Sequence, residues 1–267
     1  MDFKSIKLEE SKKRANYIKD LFAQNKFRLN ESSHLGKLLK TVENSELGKI
    51  KPLELFDILD INRVYEALVV FETVGIERTI LSRIRKGKLD FNDSSDDDGK
   101  NILFELEIAA SFLKKGILVK FEEPDLIVEL LGKRIGIACK KINSIKRIQQ
   151  ALSKGAKQNK EQNVDYAIVA LNIDNYHPIG HLLEKKTRNE ALDFIHERNK
   201  NLYFEQKKEF DKYLNNGRLQ SVFIDSRIKT DILDEVPRFN NLTMTTGIQT
   251  EKDRLLNEKI KEILGST

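Results

Sequence analysis

The stretch FEEPDLIVELLGKRIGIACKK, residues 121 to 141, reads as a β-hairpin that brings an acid and a lysine together. Asp125-Leu126-Ile127-Val128-Glu129 and Arg134-Ile135-Gly136-Ile137-Ala138-Cys139-Lys140 are rich in β-branched residues, and Leu131-Gly132-Lys133 supplies a turn between them. Alternation along the second strand sets Ile135, Ile137 and Cys139 on one face and Arg134, Gly136, Ala138 and Lys140 on the other. The first face is expected to be core and the second to carry chemistry. If the chain turns midway between Leu131 and Gly132, Asp125 stands across from Ala138, and its carboxylate converges with the Lys140 ammonium.

Pro124-Asp125 followed, a hairpin later, by Ala138-Cys139-Lys140 resembles the PD-(D/E)xK phosphodiesterase superfamily. The resemblance implies an α/β fold, a restriction-endonuclease-like mixed sheet flanked by helices, behind a helical N-terminal region. It also implies that Asp125 and an acid two residues before Lys140 bind a divalent metal, Mg²⁺ or Mn²⁺. Here that second position is Ala138, so one ligand and its charge are missing. Three readings fit: a replacement introduced on purpose, a naturally silent relative, or an acid that has migrated, for example to Glu123 or Glu129. The first is preferred, because the surrounding residues are intact around a single small side chain.

The chain has 267 residues, 39% of them hydrophobic, enough for one large domain or two small ones. No apolar run approaches the roughly eighteen residues that span a bilayer, and the N-terminus lacks the apolar segment of a signal peptide, so no membrane partner and a cytoplasmic location are expected. A single cysteine, Cys139, permits no intrachain disulfide and is expected to be a small buried hydrophobe.

A net charge of +5 is too mild to argue nucleic-acid binding by itself. Its distribution says more. Between Lys133 and Lys160 lie nine basic residues, among them Lys141, Lys146, Arg147, Lys154 and Lys157, and no Asp or Glu. Such a stretch beside the Asp125–Lys140 pair is the footprint of a surface that holds phosphate backbone, and DNA is the expected partner.

Residues 1 to 88 read as helical: Ile18, Leu21 and Phe22, then Leu35, Leu38, Leu39 and Val42, follow the 3.6 period. Ser32 and Ser33 are candidate caps, and Pro52 suits a first turn. This region is expected to brace the rest or to bind a partner. Residues 89 to 100, LDFNDSSDDDGK, read as an acidic loop without the spacing of a calcium loop, and residues 101 to 267 as the nuclease-like domain.

A helix from about Asn101 to Lys115 carries Glu105 at the flank of its apolar stripe and Glu107 on a face expected to be solvated. By resemblance, Glu105 is the additional acid that a helix before the hairpin contributes. A basic amphipathic helix beginning near Asn143 or Ser144 follows the hairpin, and its Gln158 falls where the superfamily often carries a helix Gln. Residues 166 to 172 form a strand buried on both faces. Further on, a helical region over 185 to 214, a strand at 221 to 225 and a helix over 250 to 264 are expected. His177 and His181 have zinc-like spacing, but Pro178 and Gly180 argue against a helix that would align them.

Residues 101 to 172 also resemble the nuclease subunits of bacterial anti-phage systems, among them those of the Hachiman system. That resemblance implies DNA degradation on infection and a superfamily 2 helicase as partner. The chain itself has no Gly-rich phosphate loop for ATP hydrolysis.

Overall fold

The structure is a computed structural model that describes residues 7–72, 74–91, 93, 95, 97–177 and 180–265. It is mixed α/β, with helices and, among the described residues, a seven-stranded mixed sheet. The chain divides into two compact units: Met1–Ala110, Ile179–Ala191 and Lys229–Asn241 make the first, and Ser111–Pro178, Leu192–Ile228 and Leu242–Thr267 the second. Among the described residues no helix is long and apolar enough to cross a membrane.

The N-terminal segment of the first unit is helical. Helix α1 (Leu8–Gln24) buries Ala15, Ile18 and Phe22, and α2 (His34–Asn44) buries Leu35, Leu38, Leu39 and Val42, as their spacing requires. Of the two serines, Ser33 is the cap: its Oγ accepts from Gly36 N at 3.1 Å. Both helices pack against α3 (Pro52–Leu68), where Glu54 reaches back to Lys51 N at 3.1 Å. Helix α4 (Arg78–Lys86) buries Ile80, Leu81 and Ile84.

Helix α5 (Asp98–Leu113) starts three residues earlier than its pattern suggests, because Asp97 Oδ1 accepts from Gly99 N at 2.8 Å and caps it. Of the acidic loop, Asn92, Ser94 and Asp96 lie outside the described residues. Lys100 is buried and donates to Asp90 O at 3.2 Å and Asp93 O at 2.8 Å, which holds the loop down.

The expectation that Glu107 is solvated is overturned. Glu107 is buried, and Arg63, whose guanidinium stacks over Phe91, donates to both carboxylate oxygens at 2.7 and 3.1 Å. Helical periodicity shows which residues share a face but not that a distant arginine will cover it.

In the second unit β1 (Val119–Lys120), β2 (Leu126–Leu130) and β3 (Lys133–Lys141) form an antiparallel meander. Helix α6 (Ile148–Glu161) then returns the chain to β4 (Tyr166–Asn172), which lies parallel to β3. A 3-10 turn at Ile145–Arg147 precedes α6, so Lys146 and Arg147 sit ahead of the helix and not within it.

Strand β6 (Ser221–Ile232) runs parallel to β4, and its far end, in the first unit, pairs with β5 (Leu183–Lys185). β7 (Phe239–Gln249) pairs with β6. The expected helix over 185 to 214 is two, α7 (Arg188–Glu205) and α8 (Lys207–Leu214), and the last helix, α9, spans Arg254–Leu264. All seven residues of β4 are buried, as its apolar run requires.

Residues 135 to 139 of β3 are buried on both faces, so Gly136 and Ala138, on the face expected to carry chemistry, are packed as well, while Lys140 at the end of that face is half-buried. Ala138 belongs to the apolar cluster with Ile148, Leu152 and Ala156 of α6 and Val169 and Leu171 of β4. The helix comes this close because Gly155 carries no side chain. A Cβ there would stand 2.5 Å from Val169 Cγ2 and 3.1 Å from Ala138 Cβ.

Candidate functional site

The hairpin forms with the register that sequence alone suggests. Leu126 pairs with Ile137 and Leu130 with Lys133, which leaves Leu131 and Gly132 as a two-residue turn. Both turn residues have positive φ, 52° and 73°, the pattern of a type I′ turn that matches strand twist. The same register sets Asp125 opposite Ala138.

Asp125 and Lys140 meet there. Lys140 Nζ donates to Asp125 Oδ2 at 2.6 Å and to Cys139 O at 3.0 Å, and Cys139 N donates to Asp125 Oδ2 at 2.7 Å. The side chains are 19% and 14% exposed, so the pair stands at the edge of the buried region, within reach of a ligand. Burial pushes the Asp125 carboxyl above its ordinary value; Lys140 and the Cys139 N–H pull it down, and Glu123 adds to the rise.

Gln158 closes one side. Its Nε2 donates to Glu123 Oε2 and to Pro124 O, each at 3.0 Å, so α6 is tied to the segment that presents Asp125. Gly136 lets it approach: a Cβ there would fall 2.2 Å from Asn159 Oδ1. The neighbouring Cys139 is buried, as its apolar alternation implied.

The other expected site residues have different fates. Glu105 lies in the first unit, 13% exposed, with Arg83 Nη1 at 4.0 Å, whereas Asp125, Ala138, Lys140 and Gln158 lie in the second. Lys146, Arg147, Lys154 and Lys157 are exposed, as a phosphate-contacting surface needs. Lys141 is not part of it. Its side chain is 4% exposed, with Nζ 3.1 Å from Asn172 Oδ1 and 3.9 Å from Asp174 Oδ2. Strand alternation explains this, since Lys141 points away from the face that carries Lys140.

Mg²⁺ and Mn²⁺ need several oxygen ligands with at least one or two carboxylates. Asp125 Oδ2 is already engaged by Lys140 and Cys139 N, Ala138 offers a methyl group, and Glu123 is held by Gln158. Glu129 stands four residues along β2 from Asp125, about 13 Å at the rise of a strand. Among the described residues no group of three His, Cys, Asp or Glu is placed to hold a metal ion. With a methyl group at Ala138, Asp125 Oδ2 already engaged and Glu123 tied to Gln158, the residues present do not fit the metal that the motif implies.

Two features were out of reach of the sequence: the Cys139 backbone donor to Asp125, which follows only from register, and Arg218, which joins Lys157 and Lys160 around a cleft only in the fold. Comparison with protein-family models, with curated proteins and with solved structures finds no match to this chain.

Proposed function

We propose that this chain is a DNA-binding protein built on the PD-(D/E)xK nuclease plan, catalytically silent as its sequence stands. The observation that carries this reading is the Lys140–Asp125 contact at 2.6 Å across a hairpin whose register leaves only a methyl group, Ala138, at the place of the second acid. Support also comes from the succession of antiparallel meander, helix and parallel strand, which agrees with a restriction-endonuclease-like sheet. The exposed basic residues on and before α6 supply charge for phosphate backbone.

In such a centre Asp125 would be the surviving acidic group. Lys140 would offset negative charge at phosphorus and orient the attacking water. Without a second carboxylate the chain binds and does not cut. By its resemblance to the HamA nuclease subunit of the Hachiman system, it acts in anti-phage defence beside a superfamily 2 helicase. A second reading, a scaffold that never cut, is favoured by the close packing of Ala138 beneath α6.

The test is plasmid degradation with Mg²⁺ by the chain and by Ala138→Glu, each with and without Lys140→Ala and the helicase. Cutting by Ala138→Glu that disappears with Lys140→Ala supports a disabled nuclease. No cutting under any condition, with salt-dependent DNA binding retained, leaves the scaffold. Loss of both cutting and binding overturns the proposal.

A further inference from the structure

Helix α6 turns a different side away from the hairpin. Ser153, Lys157 and Lys160 recur there at i, i+4 and i+7 and, with Asn163, Asn216 and Arg218, line a cleft of about 590 Å³. All of it lies within the second unit, and none of its lining belongs to the hairpin. Small-molecule sites span roughly 300 to 1,000 Å³, so the space is adequate for a ligand of nucleotide size.

The wall opposite α6 is fastened in place. Gln220 Oε1 accepts from Ala167 N at 2.7 Å, and its Nε2 donates to Gly217 O at 3.1 Å. Gly217 turns the chain with φ +72°, and Arg218 N donates to Asn216 Oδ1 at 3.0 Å. Arg218 is thereby presented at the cleft by a loop that is already ordered.

Charge then selects the ligand. Lys157, Lys160 and Arg218 line the cleft against one carboxylate, Asp165, whose Oδ2 already accepts from Arg134 N at 2.8 Å. Lys157 has Glu161 at 3.8 Å on the exposed surface; Lys160 and Arg218 make no ion pair among the described residues. Two lysines and a guanidinium around a polar cavity suit an anion with several oxygens, and the Asn163 and Asn216 side chains add neutral partners.

We infer that this cleft binds a phosphate-bearing ligand, either a free nucleoside polyphosphate or the phosphates of a nucleic-acid strand. The inference does not rest on the Asp125–Lys140 pair, which lies outside the cleft lining; it shares Lys157 with the basic surface proposed above for DNA.

The test is calorimetric titration of the full chain with metal-free ATP and, separately, with a short oligothymidylate at low salt. Lys160→Glu with Arg218→Glu is expected to weaken binding roughly tenfold or more, without changing the circular dichroism spectrum. Should that pair unfold, Lys160→Gln with Arg218→Gln makes the same comparison. The same charge change at the exposed Lys13 and Lys37 is the control and is expected to leave affinity within about twofold. Weakening for both probes identifies the phosphate group itself as sufficient, and weakening for the oligonucleotide alone identifies a strand. Failure of both probes to bind the chain, unaltered affinity in the variants, or equal weakening by the control overturns the inference. None of these outcomes bears on cutting by Ala138→Glu.

Discussion

Lys140 and Asp125, fifteen residues apart in sequence, are joined at 2.6 Å, and the Asp125 oxygen that accepts the lysine also accepts Cys139 N. The pair is largely buried, so its members depend on each other. Removing one leaves the other desolvated without its main partner, which costs more than the pair contributes. A double-mutant cycle over Asp125→Ala and Lys140→Ala is expected to give a coupling energy of about 1 to 3 kcal/mol in urea unfolding. In Lys140→Ala the burial of Asp125 persists while the largest opposing influence disappears, so its carboxyl should titrate higher still by ¹³C NMR. A coupling near zero, or a downward move of that titration, would sink the account.

Arg63 and Glu107 pose the same question in the first unit, more deeply buried and with two hydrogen bonds. Arg63→Met is expected to lower stability by about 3 to 5 kcal/mol, because it strands a carboxylate. Arg63→Met combined with Glu107→Met should recover most of the loss, since a buried pair replaced by apolar side chains is near neutral. Equal losses in the single and double variants, measured by chemical denaturation, would contradict this.

What was legible in the sequence follows from the range of the forces involved. The register of β2 on β3 was readable because a one-residue slip would exchange every side chain between faces, and Leu131-Gly132 suits a two-residue turn. The helices of the first unit were readable because their apolar residues repeat locally. The burial of Glu107 and Lys141 was not, since each is buried by a partner far along the chain, Arg63 in one case and Asn172 with Asp174 in the other. β7 escaped for another reason: Phe239–Gln249 is largely polar, and it is a strand because it pairs with β6. At the site, the Asp125–Lys140 pair could be anticipated, but the closeness of α6 over Ala138 could not, because it depends on Gly155 meeting Val169.

That closeness gives a third prediction. Gly155→Ala would place a methyl group 2.5 Å from Val169 Cγ2 and 3.1 Å from Ala138 Cβ, so α6 must shift outward. Overpacking of this kind costs about 1 to 3 kcal/mol, and the loss should appear as a lower thermal midpoint. Val169→Ala in the same chain removes the nearer obstacle and is expected to be less harmful beside Gly155→Ala than alone. Simple additivity of the two changes would mean that α6 does not rest on β4 as described.

His177 contributes a pH dependence of its own. It is buried, its Nε2 lies 3.1 Å from Ser226 Oγ, and its pKa is lowered to about 4. Burial is the main cause and Arg198 adds to it, while Asp174 acts in the opposite direction. An unfolded histidine takes up its proton near pH 6.5, whereas this one stays neutral in the folded protein until about pH 4. The stability it contributes is therefore complete above pH 6.5 and is lost as pH falls toward 4, by up to about 3 kcal/mol. His177→Gln keeps a hydrogen-bonding side chain without the titration, so the gap in unfolding free energy between variant and parent should narrow or reverse between pH 7 and pH 4.5. A gap that stays constant over that interval would show that His177 is not the group being titrated.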